Sequence, residues 1–396
     1  MSDKLVSVIV LVYQNYDVLF RSIISVLDQN YSRIELIVTD DGSDFFSKQS
    51  VVNYIEQNKN ENLESYKIIE HKHNIGTVKN LNHALSQING DYYITIGADD
   101  SLFNQNVISN FMSVFQKNNY EPYVVCGHMA MKTRDMKRWI RRFNSNEEVE
   151  ILKRRNQKEL FGVLSHKCII PTVACCYSKK VVEQYKEYDT NYIYLEDWPL
   201  FLKMVREGNL PVFMDSYVSN HAAGGIANGS ANYNTEILKK FFNDKQLMWQ
   251  NEVYPYMDML ADKDKHLLDK RLKFEEKRLL MECHFWPVSS IDKLRLMIKK
   301  PAVIWWYGKL KLKSLDTSFE KLVGSPIDIF VKGLIMLIAF LLLEQNPNTL
   351  PDILDKSLKI VTAILSCLFI ALAVISTLKK TITKVFKRLL SMVRRR

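Results

Sequence analysis

The chain has 396 residues, of which 47% are hydrophobic and 25% charged, and its net charge at neutral pH is +10. This balance excludes a disordered protein and predicts a folded one with a sizeable core. The length suits two units plus an appendage. Most of the excess positive charge follows residue 378, beside an apolar stretch, which favours a membrane surface as partner. We therefore expect no nucleic-acid binding.

The cysteines and the N-terminus indicate the compartment. The six cysteines form no CxxC pair and have no zinc-type spacing with histidine, so free buried thiols in a reducing compartment are expected. The first residues lead directly into a strand pattern without signal-peptide architecture. We therefore expect the first domain to lie in the cytoplasm.

Strand and helix patterns alternate along the N-terminal part of the chain. Short apolar runs predict strands at 5–12, 34–39, 66–69 and 92–96, and helical stripes lie between them at 16–29, 49–57 and 79–87. This alternation predicts an α/β fold built of βαβ units, with a mostly parallel sheet and helices on both faces. Two acidic pairs follow predicted strands, at the sheet edge where ligands bind in such folds.

Each of these acidic pairs has a structural explanation as well as a chemical one. The first pair precedes a glycine and a serine, which make a good turn sequence, but a carboxylate there can also accept hydrogen bonds from a base or a ribose. In the second pair, Asp99 and Asp100 repel each other unless a cation is present. Mg²⁺ or Mn²⁺ held by one or two carboxylates plus substrate phosphates is a usual arrangement.

A third acidic pair, Glu196 and Asp197, opens a predicted helix with Pro199 near its first turn. The pair either compensates the helix dipole or supplies a general base that removes a proton from an acceptor hydroxyl. Further along, His221 begins a glycine-containing loop that could close over a ligand, although a lone histidine in such a loop is usually structural.

Taken in this order, the motifs of about residues 4–230 resemble family 2 glycosyltransferases with the GT-A fold. The similar blocks are VSVIVLVYQN, IELIVTDDGSD, NIGTVKN, GDYYI and GADD, followed by the ED-containing helix and the HAAGG loop. The resemblance implies an inverting transferase. Such an enzyme moves a hexosyl or N-acetylhexosaminyl group from a nucleotide-diphosphate sugar, a UDP-sugar first of all, to a hydroxyl acceptor.

The resemblance also implies roles for individual residues. Tyr13, Asp40, Asp41, Lys79 and Asp99 are expected at the nucleotide sugar; Asp100, Asp99 and His221 at a divalent metal, Mn²⁺ or Mg²⁺; and Asp197, as catalytic base oriented by Glu196, at the acceptor. Three blocks depart from the family pattern. The opening motif reads LVYQ where relatives often have PTYN, the GADD block replaces DxDD, and the closing loop lacks the usual arginine or tyrosine.

The chain is predicted to have three parts. Residues 1–231 form the catalytic domain and 232–324 a helical region, while 325–396 hold two hydrophobic helices at about 329–345 and 358–378 with a basic tail. Trp286, Trp305 and Trp306 in the helical region suit either a membrane interface or a helical core. Basic flanks favour a hairpin that spans the bilayer with both ends in the cytoplasm. The alternative is a pair of helices that lie in the interface or pack in a homo-oligomer.

Membrane attachment favours a lipid-linked acceptor, such as a growing bacterial surface polysaccharide at the inner or plasma membrane. A processive polysaccharide synthase is the nearest rival, but a QxxRW motif is missing after the ED-containing helix. A nucleotidyltransferase would need a glycine-rich loop after the first strand, which is also missing. A catalytically inactive membrane scaffold with this fold remains the rival from another class, and the three acidic pairs argue against it.

Overall fold

The computed structural model describes residues 3–223 and 235–280. The strands are β1 (Val6–Val12), β2 (Ile34–Asp40), β3 (Leu63–Glu70), β4 (Tyr92–Gly97), β5 (Ser101–Leu102), β6 (Val124–Lys132), β7 (Trp139–Arg142), β8 (Cys175–Ser178) and β9 (Val212–Ala222). The helices are α1 (Tyr16–Leu27), α2 (Lys48–Asn58), α3 (Thr77–Leu85), α4 (Val107–Lys117), α5 (Asn146–Arg154), α6 (Gln157–Leu164), α7 (Lys180–Tyr185), α8 (Asp197–Arg206), α9 (Thr235–Met248) and α10 (Asp262–Leu279). The strands and helices predicted up to residue 96 are confirmed.

The described strands form one nine-stranded sheet in the order β3-β2-β1-β4-β8-β6-β9-β5, with β7 paired to β6. The first four strands in this order are parallel, as predicted. Beyond β4 the sheet becomes mixed, although β6 and β9 still pair in parallel. The short strand β8 lies between β4 and β6 and runs antiparallel to both. The α/β sheet is therefore mixed, because a late segment of the chain enters it in the reverse direction.

Helices cover both faces of the sheet, and β1 shows why its sequence is apolar without interruption. Val8 and Val10 face a core cluster shared with α1, α2 and α4. Ile9, between them, faces a second cluster shared with α3, α6 and α8. A strand that is buried on both faces needs apolar residues at every position rather than at alternate ones. The sheet therefore forms a platform between two apolar clusters, one on each face.

The helices of residues 235–280 pack on this platform. Trp249 is fully buried in the second core cluster, together with Leu268 of α10. The Trp249 indole N–H donates a hydrogen bond to the Ser165 carbonyl at 2.9 Å, at the end of α6. Burying an indole with its N–H paired fixes the position of a segment firmly. The start of α10 and the end of α9 are therefore anchored beside α6 and α8.

Several predictions fall on other parts of the chain. The boundary at 231/232, the glycines after Ala223, the three tryptophans from Trp286 onward, the two hydrophobic helices and the basic tail all lie outside the described residues. Within the described residues, no helix combines the length and the apolar character needed to cross a bilayer. The four cysteines described there are free thiols, as predicted.

Candidate active site

The carboxyl ends of three parallel strands meet at one edge of the sheet. Val12 of β1 lies in register with Asp40 of β2, and Leu11 lies in register with Gly97 of β4. The residues that follow these strands are therefore neighbours in space, although they are far apart in sequence. The prediction that both N-terminal acidic pairs follow strands at this edge is confirmed.

Asp40 holds the turn after β2. Its Oδ2 atom accepts hydrogen bonds from the backbone N–H groups of Gly42 at 3.0 Å and Ser43 at 2.9 Å. Gly42 has a φ of +73°, and a β-carbon there would lie 2.4 Å from the carbonyl carbon of His73. Glycine is required at this position both by the backbone conformation and by the neighbouring chain.

Asp41 holds the loop that precedes α3. Its Oδ1 accepts a hydrogen bond from the N–H of Ile75 at 2.7 Å, and its Oδ2 accepts one from Gly76 at 3.1 Å. Burial raises the pKa of Asp41, and these two hydrogen bonds act in the opposite direction. Lys79 is exposed on the first turns of α3, directly after this loop. Tyr13, 45% exposed, follows β1 on the same edge.

Asp100 is buried beside the end of β9. His221 Nδ1 lies 2.9 Å from its Oδ1 and 3.0 Å from its Oδ2, and the Ala222 N–H donates to Oδ1 at 3.1 Å. Burial lowers the pKa of His221, but the hydrogen bond to Asp100 and the charges of Asp100 and Asp99 outweigh it, so the net shift is upward. The upward shift in pKa favours the protonated form of His221 beside the acidic pair.

Asp99 and Asp100 flank the same point above Gly97. A β-carbon on Gly97 would lie 3.0 Å from Asp99 Oδ1 and 3.4 Å from Asp100 Oδ2. Burial, and then the charge of Asp100, raise the pKa of Asp99. The backbone carbonyl of Asp99 accepts a hydrogen bond from the Arg21 guanidinium at 2.8 Å. Arg21 thus fixes this loop from α1, a role that the sequence did not reveal.

The predicted metal ligands are Asp99, Asp100 and His221. Among residues 3–223 and 235–280, no three His, Cys, Asp or Glu side chains converge closely enough to hold a metal ion by themselves. Of the three predicted ligands, His221 contacts the carboxylate of Asp100. Two carboxylates above one glycine still suit a hard cation that takes its other ligands from a substrate diphosphate.

The third acidic pair opens α8, as predicted. Asp197 is the first residue of the helix, and Glu196 precedes it. The Thr172 hydroxyl donates a hydrogen bond to Asp197 Oδ2, and the Trp198 N–H donates to Oδ1 at 2.7 Å. Both oxygens of this carboxylate are therefore held by donors. Thr172 was not predicted, because nothing in its local sequence distinguishes it.

Glu196 and Asp197 differ in how strongly they hold a proton. Burial, followed by the charge of Asp197, raises the pKa of Glu196 to about 8. Burial also raises the pKa of Asp197, but the hydrogen bonds from Thr172 and Trp198 oppose that rise. At neutral pH Glu196 therefore keeps its proton. Buried neighbouring carboxyl groups with raised pKa values are common in acid–base sites.

One cavity of about 390 Å³ joins the two acidic regions. Gly97 and His221 line it on the side of Asp100, and Glu196 and Asp197 line it on the side of α8. A ligand in this cavity would contact Gly97 and His221 at one end and the α8 carboxylates at the other. Cavities of this size are typical of small-molecule sites. The cavity also has Lys245 of α9 and Arg278 of α10 in its lining, which the sequence patterns did not single out.

Comparison with known proteins agrees with this arrangement. The model of the family described as glycosyl transferase family 2 matches residues 7–186. An uncharacterised glycosyltransferase of Haemophilus influenzae is 31% identical over 116 residues, which cover 29% of this chain and 34% of the relative. The chain thus spans about a third of that relative's length. An uncharacterised glycosyltransferase of Rickettsia typhi is 26% identical over 276 residues, which cover 65% of this chain and 79% of the relative.

Solved structures resemble the chain more distantly. Staphylococcus aureus TarS in complex with UDP-GlcNAc has a TM-score of 0.48 and 17% identity, over 70% of this chain and 73% of that chain. The mannosyltransferase PcManGT of Pyrobaculum calidifontis, solved with GDP-Man and Mn²⁺, has a TM-score of 0.47 and 14% identity, over 80% and 87% of the two chains. Residues 7–186 are therefore similar to family 2 glycosyltransferases, and this similarity extends over a little under half of the chain.

Proposed function

We propose that this enzyme is an inverting glycosyltransferase that moves a sugar from a nucleotide-diphosphate donor, a UDP-sugar first of all, to a hydroxyl acceptor. The observation that carries the proposal is the single cavity shared by Gly97 and His221 on one side and Asp197 on the other. A donor at the strand ends and an acceptor at α8 would meet there. Holding two reactants in contact in one cavity is a large part of catalysis.

The donor would bind along the strand ends. Tyr13, Asp41 and Lys79 follow β1, β2 and the loop before α3, and they would surround the base and its first phosphate. Asp99 would reach the ribose. The hydrogen bonds from Ile75 and Gly76 to Asp41 give this region a fixed backbone before any ligand arrives. Preorganisation of this kind reduces the entropy lost on binding.

Asp100, with Asp99 beside it, would hold a divalent cation, Mn²⁺ or Mg²⁺. The fit rests on the two carboxylates above Gly97 and on the absence of a bulky side chain there. The cation would supply Lewis-acid stabilisation of the charge that develops on the leaving diphosphate. His221 keeps the Asp100 carboxylate in place through its Nδ1 atom.

Asp197 would act as the general base. It accepts the proton of the acceptor hydroxyl while the hydroxyl oxygen forms a bond to the anomeric carbon of the donor. The bond from that carbon to the diphosphate oxygen breaks on the opposite face, so the configuration inverts. Glu196 keeps its own proton at neutral pH, because burial and the charge of Asp197 raise its pKa to about 8. The protonated neighbour therefore leaves Asp197 as the site that accepts the proton.

The acceptor is proposed to be a lipid-linked glycan in surface-polysaccharide assembly, with the catalytic domain on the cytoplasmic side of a bacterial membrane. The support is the sequence of residues 325–396, which has two apolar stretches and a basic end. A processive synthase is less well supported, because two helices cannot form a channel. An inactive scaffold is less well supported, because the Thr172 side chain, 25 residues away in sequence, also bonds to Asp197.

Nucleotide release from UDP-, GDP- and dTDP-sugars with Mn²⁺ or Mg²⁺ tests the proposal. The intact chain should turn over one donor, and Asp100→Ala and Asp197→Asn should each reduce the rate at least about a hundredfold. Asp269→Asn is the matched control, since this exposed carboxylate on α10 pairs only with Lys273 in the described contacts. NMR of the product should show an inverted anomeric configuration.

Two results would contradict the proposal. Retention of configuration would remove the role given to Asp197. If no donor of the panel released its nucleotide, even with lipid-linked acceptors supplied, the result would favour a catalytically inactive scaffold. The acceptor is tested separately. A variant ending at Gly324 should lose rate on an acceptor embedded in vesicles but not on a short-chain soluble analogue, whereas equal rates on both would argue against a membrane-bound acceptor.

A further inference from the structure

The cavity has a cationic and aromatic wall that the transfer chemistry does not require. Leu238, Phe241 and Lys245 of α9 and Arg278 of α10 form this wall, and all four line the same cavity as Asp197. The family-matched segment, residues 7–186, does not include them. The chemistry of this wall bears on what the cavity accepts.

The wall lies on the acceptor side of the cavity. Asp244, next to Lys245, accepts hydrogen bonds from the backbone N–H groups of Ile193 at 3.0 Å and Tyr194 at 2.7 Å. The Tyr194 ring stacks on Phe241, with centroids 5.0 Å apart and planes 22° from parallel. These contacts tie α9 to the segment that leads directly into Glu196 and Asp197. A group bound at the wall would therefore lie beside the segment that leads into Asp197, the proposed general base.

Lys245 of the wall shares a buried carboxylate with a second cation. Lys245 Nζ lies 2.8 Å and Arg271 lies 2.5 Å from the same oxygen of Glu275, Oε1. Glu275 is 4% exposed and is thus a single buried carboxylate between two cations. Arg278, close enough to act electrostatically on Lys245, adds a third cation. Burial, together with repulsion from Arg271 and Arg278, lowers the pKa of Lys245 despite its bond to Glu275.

An anion would satisfy these cations. Cations that share one buried carboxylate keep unused hydrogen-bond donors, which water or a counter-ion must satisfy, and compensation by water weakens as a site becomes buried. A phosphate or carboxylate at Lys245 and Arg278 would make charge-assisted hydrogen bonds, which are among the strongest in proteins. Leu238 and Phe241 form an apolar surface next to these cations. This combination suits a ligand that has both a sugar ring, whose C–H face can pack on apolar side chains, and a charged group.

We infer that the wall formed by Phe241, Lys245 and Arg278 is an acceptor subsite that binds a glycosyl acceptor carrying an anionic group, either a phosphate or a sugar carboxylate. The inference rests on the proposed function, because it takes the cavity side next to Asp197 as the acceptor side. It narrows the acceptor class, since a neutral glycan would leave the wall uncompensated.

Binding of three synthetic probes to the full chain tests the subsite without any transfer reaction. The probes are an octyl N-acetylglucosaminyl diphosphate, an octyl glucuronide and the neutral octyl N-acetylglucosaminide, measured by calorimetry with EDTA present so that no metal recruits phosphate to Asp100. At least one charged probe should bind about tenfold or more tightly than the neutral one. Lys245→Gln and Arg278→Gln should each remove most of that advantage, whereas Lys240→Gln, an exposed cation on the same helix, should keep it.

The outcomes separate the two sources of negative charge and the two proposals. An advantage for the diphosphate alone identifies a phosphate-bearing acceptor, and one for the glucuronide identifies an acidic sugar. Equal binding of charged and neutral probes, no binding of any probe, or loss of the advantage in Asp100→Ala instead of Arg278→Gln would overturn the inference. Donor turnover, measured on the same samples, reports on the proposed function independently. Lys245→Gln leaves Glu275 its bond to Arg271, and circular dichroism would check that both variants are folded.

Discussion

The hydroxyl of Thr172 donates a hydrogen bond to Oδ2 of Asp197 across a sequence separation of 25 residues. The same carboxylate accepts the Trp198 N–H on its other oxygen. Thr172 also lines the cavity that Asp197 faces. This threonine is therefore a positioning residue for the proposed base, and it acts on both the direction and the proton affinity of the carboxylate.

Replacing Thr172 by valine should lower the rate and shift its pH dependence. The hydrogen bond from Thr172 lowers the pKa of Asp197, so its loss should move the acid limb of the kcat/KM profile to higher pH. A hydrogen bond to a charged group contributes about 1.5–3 kcal/mol, and kcat at neutral pH should fall about tenfold or more. The measurement is nucleotide release against pH. Thr172→Ser keeps the hydroxyl and should keep the profile; an unmoved acid limb in Thr172→Val would reduce Thr172 to a packing role.

The Glu196→Gln variant should be more stable than the wild type at pH 8 and equally stable near pH 4. Burial and the charge of Asp197 raise the pKa of Glu196 from 4.5 to about 8. Between these values the folded protein retains a proton that the unfolded chain has released, so the wild-type free energy of unfolding falls as pH rises. Glutamine has no proton to lose, and that fall disappears.

Melting temperatures measured from pH 4 to pH 9 check this prediction. The gap between Glu196→Gln and the wild type should open above pH 4.5 and level off above about pH 8. Glu61→Gln, at an exposed position, is the control and should follow the wild type throughout. A gap that is constant with pH would mean that the substitution acts by packing and that Glu196 ionises normally.

The sequence was sufficient to predict the part of the site that local patterns encode. Continuous apolar runs located β1, β2 and β4, and parallel pairing then placed Asp40 and Gly97 on either side of the end of β1. The start of α8 at Asp197 followed from helix-start signals. These features depend on a few neighbouring residues, which is why a pattern can reveal them.

The remaining features depend on contacts between distant segments. Strand β8 has four residues and lies between β4 and β6 only because the chain returns to that gap. Thr172 reaches Asp197, and Lys245 reaches the cavity, through packing of whole helices. No local motif marks such residues, because the residues next to them in the sequence make other contacts. The contact of His221 with the Asp100 carboxylate is another such long-range feature.

Replacing Asp41 by asparagine should loosen the loop before α3. The carboxylate accepts the N–H groups of Ile75 and Gly76 on its two oxygens, and an amide can accept on one side only. Loss of one such bond costs about 1–3 kcal/mol. We expect the donor KM to rise about tenfold with a smaller change in kcat. Hydrogen exchange of these two amides should accelerate as well.

Asp44→Asn is the matched control, because Asp44 is exposed in the same turn and accepts only a side-chain bond from Gln14 in the described contacts. It should leave the donor KM and the exchange rates of the loop within about twofold. Fast exchange in Asp41→Asn with an unchanged donor KM would separate the loop from donor binding and would count against the nucleotide role of Asp41.

Alanine at Gly42 should cost more stability than alanine at Gly76, although both glycines have positive φ values of +73° and +95°. A β-carbon at position 42 would lie 2.4 Å from the carbonyl carbon of His73, whereas one at position 76 would have no atom within 4 Å. Backbone strain alone costs about 1–3 kcal/mol, and Gly42→Ala adds a clash with main chain that cannot rotate away. Urea unfolding should therefore give a loss of about 1–3 kcal/mol for Gly76→Ala and a clearly larger one for Gly42→Ala. Equal losses would mean that the loop at His73 can move aside. The turns held by Asp40 and Asp41 would then be less rigid than their hydrogen bonds indicate.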